Sequence, residues 1–290
     1  GSNDVLSLFG QISTQNMQNV DNLQLTGSVH LEAGQLELNT GAAIRAQSVS
    51  AHALQNIQAV ANNAADVIYS QYLNLAAVNS IAGNANTTPD YLNVHADEVR
   101  LSTFTGDVYL RNSNATLFNK VDIGSQAAAN TGSLYLDSAG AVTQTNDEIL
   151  HVNGAFSLDT HTENVNLTHT DNQFGTLNLS TTGTAQLREN DASNLGNIQV
   201  GNGLTLTSQG NITQTAALQV NELTLNTAND ILFQDSNNDF ALLTLQANAA
   251  KVTDKNTLRI AGTLQDLDLQ TQGDIFSEGN LTVTGLANFD

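Results

Sequence analysis

An all-β fold, a right-handed parallel β-helix of about 13 coils, is predicted by three observations: a long internal repeat, period-two alternation of apolar and polar residues, and a near absence of proline. The segment LYLDSAGAVTQT (Leu134 to Thr145) returns as LTLTSQGNITQT (Leu204 to Thr215) and, more loosely, as LDLQTQGDIFSE (Leu267 to Glu278). Between these copies, VNLTHTDNQFGTLNLS (Val165 to Ser180) returns as ILFQDSNNDFALLTLQ (Ile231 to Gln246). A period of roughly 63 to 70 residues is too long for one hairpin, and about three coils of roughly 21 to 23 residues would fill it.

The alternation supports strands. Leu204-Thr-Leu-Thr, Leu218-Gln-Val-Asn, Leu223-Thr-Leu-Asn and Leu281-Thr-Val-Thr each turn one face inward and the other to water. Gly, Asn and Asp separate the runs and tolerate the positive φ angles expected at tight corners. The single proline, Pro89, fits a chain in which nearly every backbone N–H joins a ladder. Parallel strands joined by short corners imply the right-handed sense. Aligned coils would let Asn and Thr side chains stack into hydrogen-bonded ladders.

Along the chain, Gly1-Ser2-Asn3 resembles a cloning scar, which suggests an excised fragment. Residues 4–133 read as less regular coils with protruding loops. Gly41 to Ala65 is Ala-rich, and Ala53 to Val60 alone could pass for helix; the strand-like neighbours Leu36-Glu-Leu-Asn and Val67-Ile-Tyr assign it instead to coils with small inward residues. Asn84 to Asp90 is the clearest loop, and the broken pattern from Arg111 to Ser133 suggests a coil with an enlarged corner. Residues 134–290 read as regular repeats of one continuous solenoid.

Composition narrows the function. Only 12% of residues are charged while 40% are hydrophobic, so Asn, Gln, Ser and Thr supply the polar surface. With 8 basic and 28 acidic residues, the net charge of −20 argues against nucleic acid and anionic membrane as partners. There is no cysteine, hence no disulfide or thiolate metal site. No stretch of 18 apolar residues predicts membrane insertion.

NGLTLTSQGNITQTAALQVNELTLNTANDI (Asn202 to Ile231), followed by NNDFALLTL (Asn237 to Leu245), resembles bacterial filamentous-haemagglutinin-type exoproteins. The resemblance runs from about Leu134 to Asp290. It implies a β-helical shaft of a large adhesin, exported from a Gram-negative bacterium by an outer-membrane two-partner secretion component, and acting at the cell surface in adhesion or biofilm formation. The family's amino-terminal secretion motifs are not found here.

Chemical motifs are few. Asp235, Asn237 and Asp239 match the opening of a calcium loop, but Phe240 stands where Gly is needed and Gln246 where a bidentate Glu belongs, so a polar corner is the simpler account. Asp159, His161 and Glu163 alternate and would project from one strand face, about 6.7 Å apart, too far to share a metal easily. His30, His52, His95, His151 and His169 show no ligand spacing. Neither cofactor nor metal is expected. The eight basic residues are scattered apart from Lys251, Lys255 and Arg259, so a polysaccharide-degrading enzyme is a distant third choice. Thr143-x-Thr145 and Thr213-x-Thr215 stand a whole repeat apart and do not build an ice-binding array. The sequons at Asn114, Asn166, Asn178, Asn211 and Asn280 are expected by chance in so Asn- and Thr-rich a chain.

Binding is the better expectation. All five tyrosines (Tyr69, Tyr72, Tyr91, Tyr109 and Tyr135) precede the tyrosine-free later repeats. Exposed rings with polar neighbours suit sugars, although inward packing is the alternative for each. Tyr69, Tyr72, Tyr91 and Tyr109 are the candidate ligand-binding residues. Tyr72, read as opening a strand, and Tyr91, following Pro89, are the best candidates for exposed platforms. The expectation is a binding segment for glycan or protein ligands on host or neighbouring cells; the alternative is a passive spacer.

Overall fold

The computed structural model describes residues 4–8, 11–13, 27–39, 41–59, 67–82, 90–126 and 131–290. Every regular element among them is a β-strand, and the fold is a parallel β-solenoid of about 12 turns. Turn length varies widely. Ile68 pairs with Val94, whereas Ala250 already pairs with Leu267, so the earlier turn is much the longer of the two. The chain divides into two compact units, Gly1–Ser157 and Leu158–Asp290.

In the first unit the strands Ser28–Ala33, Ala43–Ala53, Ile68–Ala77, Leu92–Thr103 and Thr116–Ile123 lie in register turn upon turn. Val29, Val49, Leu73, Val99 and Phe118 form one inward column. The Ala-rich segment supplies the small inward residues expected of it: Ala46, Ala51 and Ala53 are buried in one strand, and Ile57–Ala59 forms the next. The short Ala51 is followed in register by the larger, buried Leu75 and Leu101 of the next two turns. Phe118 and Phe156 meet with ring centroids 6.4 Å apart.

Pro89 and all of the expected loop Asn84 to Asp90 except Asp90 itself lie outside the described residues, as do 127–130 of the expected enlarged corner. The described part of that corner contains a full strand, Thr116–Ile123, whose register against Leu92–Thr103 shifts between Phe118 and Lys120. A one-residue bulge breaks the alternation that the eye follows without ending the strand.

Three of the inward ladders of the second unit fix its register. Ala185, Leu204, Leu223, Leu243 and Ile260 form the first. Ser193, Ile212, Ile231, Ala250 and Leu267 form the second. Val200, Val220 and Phe240 belong to the third. These ladders correct the expected repeat unit. From Leu204, three turns lead through Leu223 and Leu243 to Ile260, yet the repeat resumes at Leu267, on the neighbouring ladder. Val165 behaves alike: its ladder runs through Ala185 and Leu204 to Leu223, and its counterpart Ile231 lies one ladder further on. One sequence repeat is therefore three turns plus one side. Equivalent residues of the copies beginning at Leu204 and Leu267 face different directions.

Corners recur as Ser/Thr-x-Gly. The Ser138, Ser208 and Thr271 hydroxyls donate to the carbonyls of Gly140, Gly210 and Gly273, at 3.0, 3.2 and 2.6 Å. Positive φ is not what these glycines provide, contrary to expectation. A Cβ on Gly210 would lie 2.7 Å from the backbone nitrogen of Ala192, and one on Gly140 2.7 Å from the Cα of Ala115. Glycine is needed because the previous turn passes too close for a side chain.

Buried polar groups close the remaining backbone. Asn112 accepts from the Ala96 N–H at 3.0 Å and donates to the Ala96 carbonyl at 2.9 Å. Phe174 and Phe240, equivalent in the repeat, each donate a backbone N–H to a buried acid one turn later: Glu189 at 3.1 Å and Asp254 at 2.9 Å. The expected Asn/Thr ladder is present as Asn194, which donates to Thr176 at 3.1 Å and accepts from Thr213 at 3.4 Å.

Candidate binding surface

None of the five tyrosines enters the core, so the inward alternative fails for each. Their surroundings divide them into two groups within the first unit.

The first group is a packed aromatic rank. Tyr109 and Tyr135 are in register on adjacent strands, with ring centroids 4.5 Å apart and planes within 2°. Tyr91 meets Tyr109 edge-on at 6.1 Å, and the Arg111 guanidinium lies 4.9 Å from the Tyr91 ring centroid. Arg111 is held by Asp137, its Nε 2.7 Å from Oδ2. On a separate column of the first unit, the Arg45 guanidinium covers Tyr69 at 4.4 Å, and His95 approaches the same ring at 5.9 Å. Burial first, then the Asp107 carboxylate, push the Tyr109 phenol well above the ordinary tyrosine range, so it stays neutral. Each ring-on-ring contact contributes roughly 0.5–1.5 kcal/mol, and each cation contact about 0.5–1 kcal/mol at such exposure. A ring face covered by another ring or by a guanidinium is not free to stack on a sugar. This rank stabilises the turns.

Tyr72 stands apart. It does not open a strand, as expected, but lies inside Ile68–Ala77, just where alternation slips and both Gln71 and Tyr72 face solvent. After that slip the outward positions fall on the opposite phase of the alternation, so Tyr72 and Tyr69 belong to different outward sets. Tyr72 is 43% exposed, second to Phe104 among the described Tyr and Phe residues of the first unit. In register beside it lie Ser48 on one side and Glu98 on the other. The next outward positions are Ser50, Asn74, Arg100 and Lys120. Asn74 donates to Ser50 at 3.2 Å, Asn119 donates to Glu98, and Arg100 reaches Glu148 at 3.6 Å. One further column pairs Asp122 with His151 at 3.1 Å. The side thus presents one uncovered tyrosine ring amid amides, hydroxyls and balanced charges.

The other candidates are accounted for by local structure. The strand Leu150–His161 ends at His161, whose φ of 55° turns the chain, so Glu163 does not share a strand face with Asp159 and His161 as expected. The Glu163 carbonyl instead accepts from Thr160 and Thr181. Asp235 accepts from Asn237, and Asp239 is engaged by Lys255 at 2.8 Å and Asn256 at 2.9 Å, which makes this a polar corner. Lys251, Lys255 and Arg259 each pair with a separate carboxylate, Asp268, Asp239 and Glu278. Among the described residues no three His, Asp or Glu side chains converge to hold a metal ion.

No curated protein and no solved structure matches the chain. One family does match, three times in succession, over residues 105–181, 182–246 and 247–290, together more than half the chain. Its first copy takes in Tyr109, Arg111 and Tyr135 of the packed rank, and its last two cover the ladders of the second unit. The chain belongs to the family described as repeats of unknown function, DUF5649.

Proposed function

We propose that this chain is part of a large exoprotein of the filamentous-haemagglutinin type, exposed at the surface of a Gram-negative bacterium, and that it binds glycan through the side of the first unit that carries Tyr72. The reading is supported above all by one observation: Tyr72 is the tyrosine whose ring is left uncovered, and hydrogen-bonding side chains surround it on adjacent turns. A sugar would lay its C–H face on the ring while Glu98, Asn74 and Arg100 meet its hydroxyls. The role is binding, without a catalytic step. The surrounding solenoid acts as a shaft, for which a nearest-neighbour stack of turns is well suited because it grows without limit along one axis. Export through an outer-membrane partner, and a role in adhesion or biofilm formation, belong to the same proposal.

A glycan array probed with the intact chain tests it. Saturable binding to a defined set of glycans is the expected result. A folded protein that binds none of them overturns the proposal and leaves the passive shaft.

A further inference from the structure

The second unit, which is otherwise regular, contains a groove of about 420 Å³ lined by His161, Ser180–Thr182, Gln199–Gly201, Gln219–Asn221, Asp239 and Ala241. Its floor is a column in register, Ser180, Gln199, Gln219 and Asp239, one residue from each of four turns. At about 4.8 Å per turn the column spans about 14 Å, the length of a short oligosaccharide. His161, also in its lining, holds a left-handed backbone where its strand ends. Gly201 keeps the wall low, since a Cβ there would lie 2.9 Å from the Thr182 Cα.

The lining selects a ligand class. No lysine or arginine is in the lining, Lys255 beside it is taken up by Asp239, and the chain carries a net charge of −20, so an anionic ligand has no free cation to hold it. No Phe, Tyr or Trp and no large exposed aliphatic side chain in the lining offers an anchor for an apolar peptide. The one carboxylate, Asp239, is already neutralised by Lys255 at 2.8 Å, which holds its carboxyl below the usual range together with the Asn256 amide. Amides and hydroxyls remain, repeated once per turn. A ligand that itself repeats hydroxyls along its length is their natural complement.

We infer that this groove is a second binding site, for a linear neutral oligosaccharide lying along the solenoid axis and hydrogen-bonded by Gln199, Gln219 and Asn221. It is separate from the Tyr72 side and does not depend on it.

The test titrates the intact chain with cellohexaose, chitohexaose, xylohexaose and laminarihexaose, reading side-chain amide resonances and heats of binding. Expected is saturable binding by at least one, with shifts at the Gln199 and Gln219 amides. The outward double variant Gln199→Ala, Gln219→Ala should weaken it tenfold or more at an unchanged melting temperature, while Tyr72→Ala leaves it intact. Absence of saturable binding at millimolar concentration by all four, binding that survives the double variant, or preference for an anionic oligosaccharide at these residues would each overturn the inference. Loss on Tyr72→Ala alone would overturn this groove and leave the proposed function standing; loss on the double variant alone supports this groove, and the proposed function then stands or falls on the glycan array.

Discussion

Glu189 is a carboxylic acid with 1% exposure inside the second unit. Its Oε1 accepts the Phe174 N–H at 3.1 Å. Burial, outweighing the opposing hydrogen bonds of the Ser193 side chain and the Phe174 N–H, and the nearby Asp191 push its pKa from 4.5 up to about 8. The unfolded chain loses this proton near pH 4.5 and the folded chain only near pH 8, so between those values unfolding releases a proton. Stability from this group is therefore complete below about pH 4.5, declines as pH rises, and is gone above about pH 8. At about 1.4 kcal/mol per unit the full span is on the order of 5 kcal/mol. Glu189→Gln keeps the shape and stays neutral at every pH, which removes the decline. Urea unfolding of both proteins from pH 5 to pH 9 should show nearly equal stability at the acid end and a variant advantage of several kcal/mol by pH 8. A difference between the two that does not change with pH would refute the buried-acid reasoning.

Three further outcomes follow from the packing. Gly210→Ala drives a Cβ to 2.7 Å from the Ala192 backbone and should cost about 1–3 kcal/mol in thermal or urea unfolding. Phe240→Ala empties a fully buried position beside Phe233, ring centroids 6.3 Å apart, and should cost about 3–5 kcal/mol. Asn112→Ala leaves the Ala96 N–H and carbonyl without their partner and should cost about 2 kcal/mol or more, with faster amide exchange at Ala96.

The solenoid was legible because its cause is local and repeated. Leu204-Thr-Leu-Thr announces an inward and an outward face, and the copies at Leu134, Leu204 and Leu267 announce stacking. Register was not legible, because nothing in one strand says how long the next turn will be. Dividing the period by three assumed whole turns, and the actual unit of three turns and one side hides in short turns such as the one from Ala250 to Leu267. The same error concealed the aromatic rank. Arg45 pairs with Tyr69 and Tyr69 with His95, across turns longer than that division allows, so equal turns put the three out of line. The tyrosines themselves were visible as candidates; which of them keeps a free ring face depends on that register. The groove in the second unit left no sequence signal, since glutamine at Gln199 and Gln219 looks like any outward position.

Ring exposure, and not the number of tyrosines, is the central claim about binding, and calorimetric titration of one array-selected glycan into three proteins tests it most directly. Tyr72→Ala should bind at least tenfold more weakly with an unchanged melting temperature. Tyr135→Ala, which removes a stacked partner of Tyr109, should melt earlier while binding as tightly as the parent chain. Binding abolished by Tyr135→Ala and untouched by Tyr72→Ala would contradict the account.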